Sequence, residues 1–233
     1  MCLSDVGGNL CLVQDKIKAA WVKSGREHFD ITLVGVTKTI EVERISQLVS
    51  LGVKDLGENR VQELLEKQPV IDPTVNWHLI GHLQTNKVKS IVDKVKLIHS
   101  VDSFRLAKEI NKQAKALDIT CDCLIEINIA GETSKFGIKP NELSDFLEEI
   151  SQCPNIVAKG LMCVAPFVEK ATENRDYFRK MRQMFVDSKA KSLNNIYMQY
   201  LSMGMTNDYE IAIEEGANIV RVGTGIFGER DYK

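Results

Sequence analysis

Charge of one sign is scarce in this 233-residue sequence: 30 Lys and Arg stand against 32 Asp and Glu, a formal net charge of −2. Without a basic excess there is no diffuse surface to neutralise nucleic-acid phosphates, which excludes generic DNA or RNA binding. Long apolar runs are missing as well. A stretch such as residues 31–36, itself interrupted by Thr32, falls far short of the roughly 20 residues that cross a bilayer, so no membrane association is expected. The opening MCLSDVGGNL has neither the basic nor the apolar region of a secretory signal, and a cytoplasmic location is the expectation. No Pro/Gly/Ser linker, low-complexity tract or charge block divides the chain, which reads as one domain over residues 1–233. With 44% hydrophobic and 27% charged residues, disordered and fibrous classes are excluded too.

Cysteine is present but not organised. Cys2, Cys11, Cys121, Cys123, Cys153 and Cys163 sit in a chain long enough to bury a core without disulfides, and they read as reduced thiols. Cys121 and Cys123 share a strand face, yet no second pair at zinc-site spacing completes a tetrahedral set, so no metal is expected.

What is there is an alternation of short β-type runs with amphipathic helical segments. The strand candidates are residues 31–36, 53–57, 76–81, 96–100, 122–129, 156–162, 197–203 and 218–223. About eight such strands close an α/β fold of the (β/α)8 TIM-barrel type in roughly 250 residues. Leu143, Phe146, Leu147 and Ile150 follow a helical stripe, as do Ala107, Ile110, Ala114 and Leu117. Ser103, Pro140-Asn141 and Thr206-Asn207-Asp208 mark helix starts. Ahead of the first strand, Leu10, Val13, Ile17, Ala20 and Trp21 predict an extra helix within residues 1–30 that packs on the barrel's outside or lower rim.

Reactive groups in such barrels gather at the C-terminal strand ends. In Val34-Gly35-Val36-Thr37-Lys38 a buried run stops at a lysine, whose alternation places it with Val34 and Val36 on the inner face. Desolvation there favours a nucleophilic amine that attacks a carbonyl; the competing reading is a solvated lysine at the start of the next helix. In Val220-Arg221-Val222-Gly223-Thr224-Gly225, Arg221 shares the inner face with Gly223 and needs an acceptor. The glycines after this last strand offer backbone N–H groups where these barrels hold phosphate, or else serve as a close-packed helix-opening turn. The G-x-G-x-x-G match is not a dinucleotide fingerprint, because no acidic residue follows about 20 positions on.

At the seventh strand, Ser202 is the first choice for a hydroxyl reaching the phosphate, with Thr206 equally suited to capping a helix. Gly57-Glu58-Asn59-Arg60 and the run from Gly81-His82 to Lys87 are further polar strand ends at the rim. His78 and His82 are four apart, but the strand at His78 argues for a core or rim role over a helical metal pair. Residues 130–137 form a polar loop suited to a lid.

Taken together, the motifs GVTKT, GENRVQE, WHLIGHLQTNK, SKFGI, KGLM, LSMGMTND and VRVGTGIFGER resemble the pyridoxal 5′-phosphate homeostasis proteins, the YggS/PROSC family, over nearly the whole chain from Ile31 onward. The resemblance implies the barrel of the alanine racemase N-terminal domain and a fold-type III site for pyridoxal 5′-phosphate (PLP). It implies that Lys38 forms the internal aldimine, that Arg221 faces the pyridine nitrogen, and that Ser202, Gly223 and Thr224 hold the phosphate. Asn59 and His82 would line the pocket. Thr206 stands where the family often has serine. The resemblance further implies a non-catalytic carrier whose partners are PLP and PLP-dependent apoenzymes, and, lacking the racemases' second domain, a monomer. The alternative is a PLP-dependent racemase-like enzyme. On the residues alone, a Schiff-base aldolase acting on a phosphorylated sugar fits the lysine and the phosphate turn as well.

Overall fold

A computed structural model describes residues 5–28 and 31–229. Eight parallel strands close a barrel in sequence order, β1 (Thr32–Val36), β2 (Asp55–Glu58), β3 (Asn76–Leu79), β4 (Leu97–Val101), β5 (Cys121–Ile127), β6 (Ile156–Cys163), β7 (Ile196–Met205) and β8 (Ile219–Val222), with β8 paired back onto β1. Every expected strand is present, its ends one or two residues from the expectation at most. The helices are α1 (Val6–Lys23), α2 (Val42–Ser50), α3 (Val61–Lys67), α4 (Phe104–Ala116), α5 (Leu143–Ser151), α6 (Arg175–Lys189), α7 (Tyr209–Glu214) and the single turn α8 (Thr224–Phe227). Between β3 and β4 the crossover is a 3-10 turn, Thr85–Ser90, in place of an α-helix.

Apolar side chains sort into two separate layers. The larger lies between the outer faces of the strands and the helices, and includes Leu48, Leu56, Ile98, Leu106, Ile110, Phe146, Ile150, Phe178 and Phe227. The smaller fills the barrel's inside with Val34, Leu97, Leu124, Met162 and Ile219, one from each of five strands. Strand alternation separates the two sets, because neighbouring residues point to opposite faces.

The stripe ahead of the barrel forms α1. Asp5 caps it, its carboxylate accepting from Gly7 N–H at 3.0 Å, and Val6, Leu10, Val13, Ile17 and Ala20 are buried against α7, α8 and α2. Ser103 caps α4 by accepting from Leu106 N–H. Leu117 departs from the expected stripe: α4 ends at Ala116, Asp118 takes a left-handed φ of 53°, and Leu117 is left half-exposed at the helix end. Cys2 lies outside the described residues. Cys121, Cys123, Cys153 and Cys163 are buried free thiols, and among the described residues no cluster of His, Cys, Asp and Glu is arranged to hold a metal. No described helix is long and apolar enough to cross a membrane.

Two glycines shape the wall that matters for the site. At Gly160 in β6, φ is 155° and a Cβ would stand 1.8 Å from the Tyr200 carbonyl oxygen, so only glycine lets β6 and β7 approach. In β7 the register against β8 slips between Ser202 and Met205, which oppose Ile219 and Arg221. Three steps along β7 thus match two along β8, a bulge that passes through Gly204 at φ 90°.

Candidate functional site

A cavity of about 500 Å³ opens at the C-terminal end of the barrel. Its wall includes Val36 and Lys38 from the end of β1, Asn59 and Ile80 after β2 and β3, residues 164–168 after β6, and Met205–Asp208 after β7. Arg221, Gly223 and Thr224 complete it from β8. Because β1 and β8 are adjacent and parallel, with Gly35 opposite Val222, Lys38 and the turn at Gly223 leave the barrel side by side on the same face.

Lys38 is half-buried, its amine without an ion pair among the described residues, and the chain on both sides of it is clamped. On one side the Lys67 ammonium donates to the Thr37 carbonyl at 2.7 Å, and Thr37 Oγ1 donates to Glu58 Oε1 at 2.6 Å. On the other, Thr39 holds a left-handed φ of 61° while its N–H donates to Glu63 Oε2 at 2.8 Å. Lys67 ties the clamp together, reaching Glu58 at 2.7 Å and Glu63 at 3.0 Å. Burial pushes the Glu58 carboxyl up, opposed by Lys67 and Thr37. Glu58 and Glu63 are the two acids of the GENRVQE motif, and a rim position was the sequence expectation for the first of them. It is fully buried instead, bonded to Thr37 and Lys67.

Arg221 is 3% exposed and finds its acceptors in Ser202 Oγ at 2.5 Å and the Cys163 carbonyl at 2.8 Å. Burial pulls its pKa down, while the acidic groups Cys163, Asp208 and Glu126 hold it up; a guanidinium remains charged under such pressure. The need for an acceptor, argued from the strand face, is therefore met by Ser202 itself. Its side chain is fully buried below the cavity, on the Arg221 level, and lines no part of the opening.

The hydroxyl-bearing residues that line the opening are Thr206, just past the bulge in β7, and Thr224. Thr206 Oγ1 lies 3.1 Å from Thr224 Oγ1 and accepts from Gly225 N–H at 3.2 Å. A Cβ on Gly225 would press Val222 at 2.9 Å and Thr206 at 3.2 Å, so the turn packs closely as well as offering N–H groups. The two readings of the glycine turn are compatible.

Asn59 is held at the rim by Gly81, where a Cβ would stand 2.4 Å from the Asn59 carbonyl oxygen. His82 is not in this cavity. It lines a neighbouring cleft of about 550 Å³ with Gln84, Asn86, Asp102 and Arg105, its Nδ1 bonded to Asp102 at 2.8 Å and its ring stacked on Phe136 at 3.7 Å. The chain turns outward after Gly81, and the side chain follows it.

Sequence reasoning missed several lining groups. Lys135, in the loop expected to be a lid, reaches the wall, paired with Glu132 at 2.7 Å. Asn174 donates to the Pro166 carbonyl and to Asp208, whose other oxygen accepts from Met205 N–H. Phe167 stands 87% exposed at the lip. Glu126 on β5 is buried, its carboxyl pushed up to about 7 by desolvation first and by Asp102 next, with Arg221 opposing. Lys38, Lys135 and Arg221 thus face a space whose one lining carboxylate, Asp208, is already engaged by two donors, a balance suited to an anion.

Residues 16–231 match the family described as alanine racemase, N-terminal domain. The chain is 44% identical over 224 residues to the pyridoxal phosphate homeostasis protein of Aquifex aeolicus, covering 96% of this chain and 97% of that one. It is 36% identical over 235 residues to the protein of that name from Escherichia coli, covering 99% of both. Among solved structures, PipY of Synechococcus elongatus with PLP bound superposes with a TM-score of 0.83 at 29% identity, over 96% of this chain and all of PipY. An alanine racemase of Clostridium difficile shares the fold at a TM-score of 0.67 and 19% identity, with 97% of this chain covering 57% of the racemase.

Proposed function

The chain belongs to the pyridoxal phosphate homeostasis proteins within the alanine racemase N-terminal domain family, and from that premise we propose that it is a carrier holding PLP in the Lys38 cavity. The carrying observation is that an amine, a buried guanidinium and a hydroxyl- and glycine-lined turn open on one space of about 500 Å³. Such a volume suits a small heterocycle. The ligand has an aldehyde, a ring nitrogen and a phosphate, and the residues present offer a partner of the right chemistry for each.

In this reading Lys38 Nζ takes the aldehyde carbon as a Schiff base, with loss of water. The clamp of Glu58, Glu63 and Lys67 presents that amine in one orientation. Arg221 meets the ring nitrogen, where a permanent positive charge disfavours a proton. Thr206, Thr224 and the backbone of Gly223 take the phosphate, with Ser202 behind Arg221, and Asn59 borders the ring. Bound PLP supplies an aldehyde and an electron-accepting ring; with Arg221 beside the nitrogen, the second property is muted and retention outweighs turnover. The relatives carry homeostasis names, which agrees with a carrier. The proposal includes a single domain over residues 1–233, a cytoplasmic monomer, and PLP-dependent apoenzymes as recipients.

The test is a titration of the purified protein with PLP followed by absorbance, paired with incubation of several amino acids in deuterated water. Saturation at one PLP per chain, with α-carbon exchange no faster than free PLP gives, supports the carrier. Enzyme-level exchange overturns it in favour of the racemase-like reading.

A further inference from the structure

Below the cavity a row of polar side chains runs through the barrel interior, one from each of five strands. Arg221 Nη1 on β8 lies 2.5 Å from Ser202 Oγ on β7, and that oxygen lies 3.1 Å from His99 Nδ1 on β4. His99 Nε2 is 2.9 Å from His78 Nδ1 on β3, and His78 Nε2 is 3.0 Å from Asp55 Oδ1 on β2. His78, His99, Ser202 and Arg221 are each 3% exposed or less. Barrel interiors at this level are ordinarily filled by Val, Ile and Leu, as the apolar layer of this one is. Two imidazoles in their place are costly unless every nitrogen has a partner, and here every nitrogen does.

Proton counting gives the row one direction. A guanidinium only donates, so Ser202 Oγ accepts from Arg221. The Ser202 hydroxyl hydrogen then has one acceptor among its contacts, His99 Nδ1. His99 carries its proton on Nε2 and donates to His78 Nδ1; His78 carries its own on Nε2 and donates to Asp55. Burial, His78 and Arg221 all disfavour a charged His99. At the far end Asp55 also accepts from Asn76 Nδ2 at 3.1 Å and lies 3.8 Å from the Lys96 ammonium, which keeps it a carboxylate acceptor.

We propose that His99, His78 and Asp55 are positioning residues for Arg221, a one-way hydrogen-bond row that keeps the Ser202 hydroxyl hydrogen turned away from the guanidinium and so fixes Arg221 under the cavity. With His99 reversed, its Nδ1–H would donate to Ser202 Oγ, which would then accept from both neighbours while its own hydrogen lost its acceptor in the row. Asp55, at the opposite end of the row, thereby sets the geometry of a residue it does not touch. The importance of Arg221 for a ligand rests on the PLP reading; the row itself does not.

The experiment is nitrogen-15 NMR on histidine- and arginine-labelled full-length protein, first without PLP. The expected result is that the neutral rings of His78 and His99 both show a bare Nδ1 and a protonated Nε2, and that the Arg221 Nη protons are resolved and slow to exchange. A doubly protonated or an Nδ1-protonated His99 overturns the proposal. Ser202→Ala is expected to leave both imidazoles Nε2-protonated, because Asp55 still takes the His78 proton, while the Arg221 Nη protons exchange faster, with recovery in Ser202→Thr. Asp55→Asn works from the other end: His99 changes its tautomer balance and the Arg221 protons exchange faster. Unchanged His99 and Arg221 signals in a folded Asp55→Asn protein would show local contacts only and sink the idea. A final arm measures PLP affinity, with a loss of about three- to tenfold expected for Asp55→Asn, the scale of one hydrogen bond. If the native protein shows the row but binds no PLP, the cofactor reading fails and the row stands.

Discussion

The two sides of the barrel wall are built on opposite principles. Outside, between strands and helices, the packing is mainly apolar and its members repeat at the strand and helix periods, with the Glu58–Lys67 pair as a buried charged exception. Inside, one apolar layer of five residues is succeeded toward the C-terminal end by His78, His99, Ser202, Glu126 and Arg221, all buried and polar or ionisable. The outer layer holds the fold, and the inner one holds a charge where a ligand can reach it. Substitutions that separate stability from binding are the means to break this comparison.

The largest effect is expected in the outer layer. Phe178 is fully buried there, and Phe178→Ala should cost about 3–5 kcal/mol in urea denaturation while PLP affinity of the folded fraction stays within twofold. A matching loss of affinity would show that the layers are not independent. Next comes Glu126. Its carboxyl, pushed up to about 7, keeps a proton in the folded protein that the unfolded chain surrenders near the ordinary glutamate value. Stability from this group is therefore present at pH 5 and lost as pH rises toward 8, on the order of 2–3 kcal/mol. Glu126→Gln should remove that slope, as denaturation at the two pH values will show; an unchanged slope places its origin elsewhere.

Smaller effects sharpen the boundary of the site. Thr206→Val removes the rim hydroxyl that contacts Thr224 and Gly225, and should weaken PLP retention about tenfold in equilibrium dialysis. His82→Ala should change it less than twofold, because that ring opens on the neighbouring cleft. A His82 effect as large as that of Thr206 would move the site's border to include Asp102 and Phe136.

The difference between the layers also explains what was legible beforehand. Eight strands, the α1 stripe and the Ser103 cap follow from period and capping chemistry, which one sequence displays directly. That Lys38, Arg221, Gly223 and Thr224 border one cavity was legible because each ends or follows a strand whose inner face alternation identifies, and Asn59 because it follows the polar end of the second. The positions of Ser202 and His82 were not legible: Ser202 lies buried beside Arg221, before the bulge in β7, and His82, just past Gly81, lines the neighbouring cleft. The clamp around Lys38 and the histidine row join residues far apart in sequence, and neither has a period that would reveal it.

The central claim is that Lys38 and the Arg221 turn grip one small aldehyde from two sides. Borohydride reduction of the PLP-loaded protein, followed by peptide mapping, tests it most directly. The account predicts one pyridoxyl group per chain on the peptide bearing Lys38, and none in Lys38→Ala. Label spread over surface lysines, or an equal yield at one other lysine in Lys38→Ala, would contradict it.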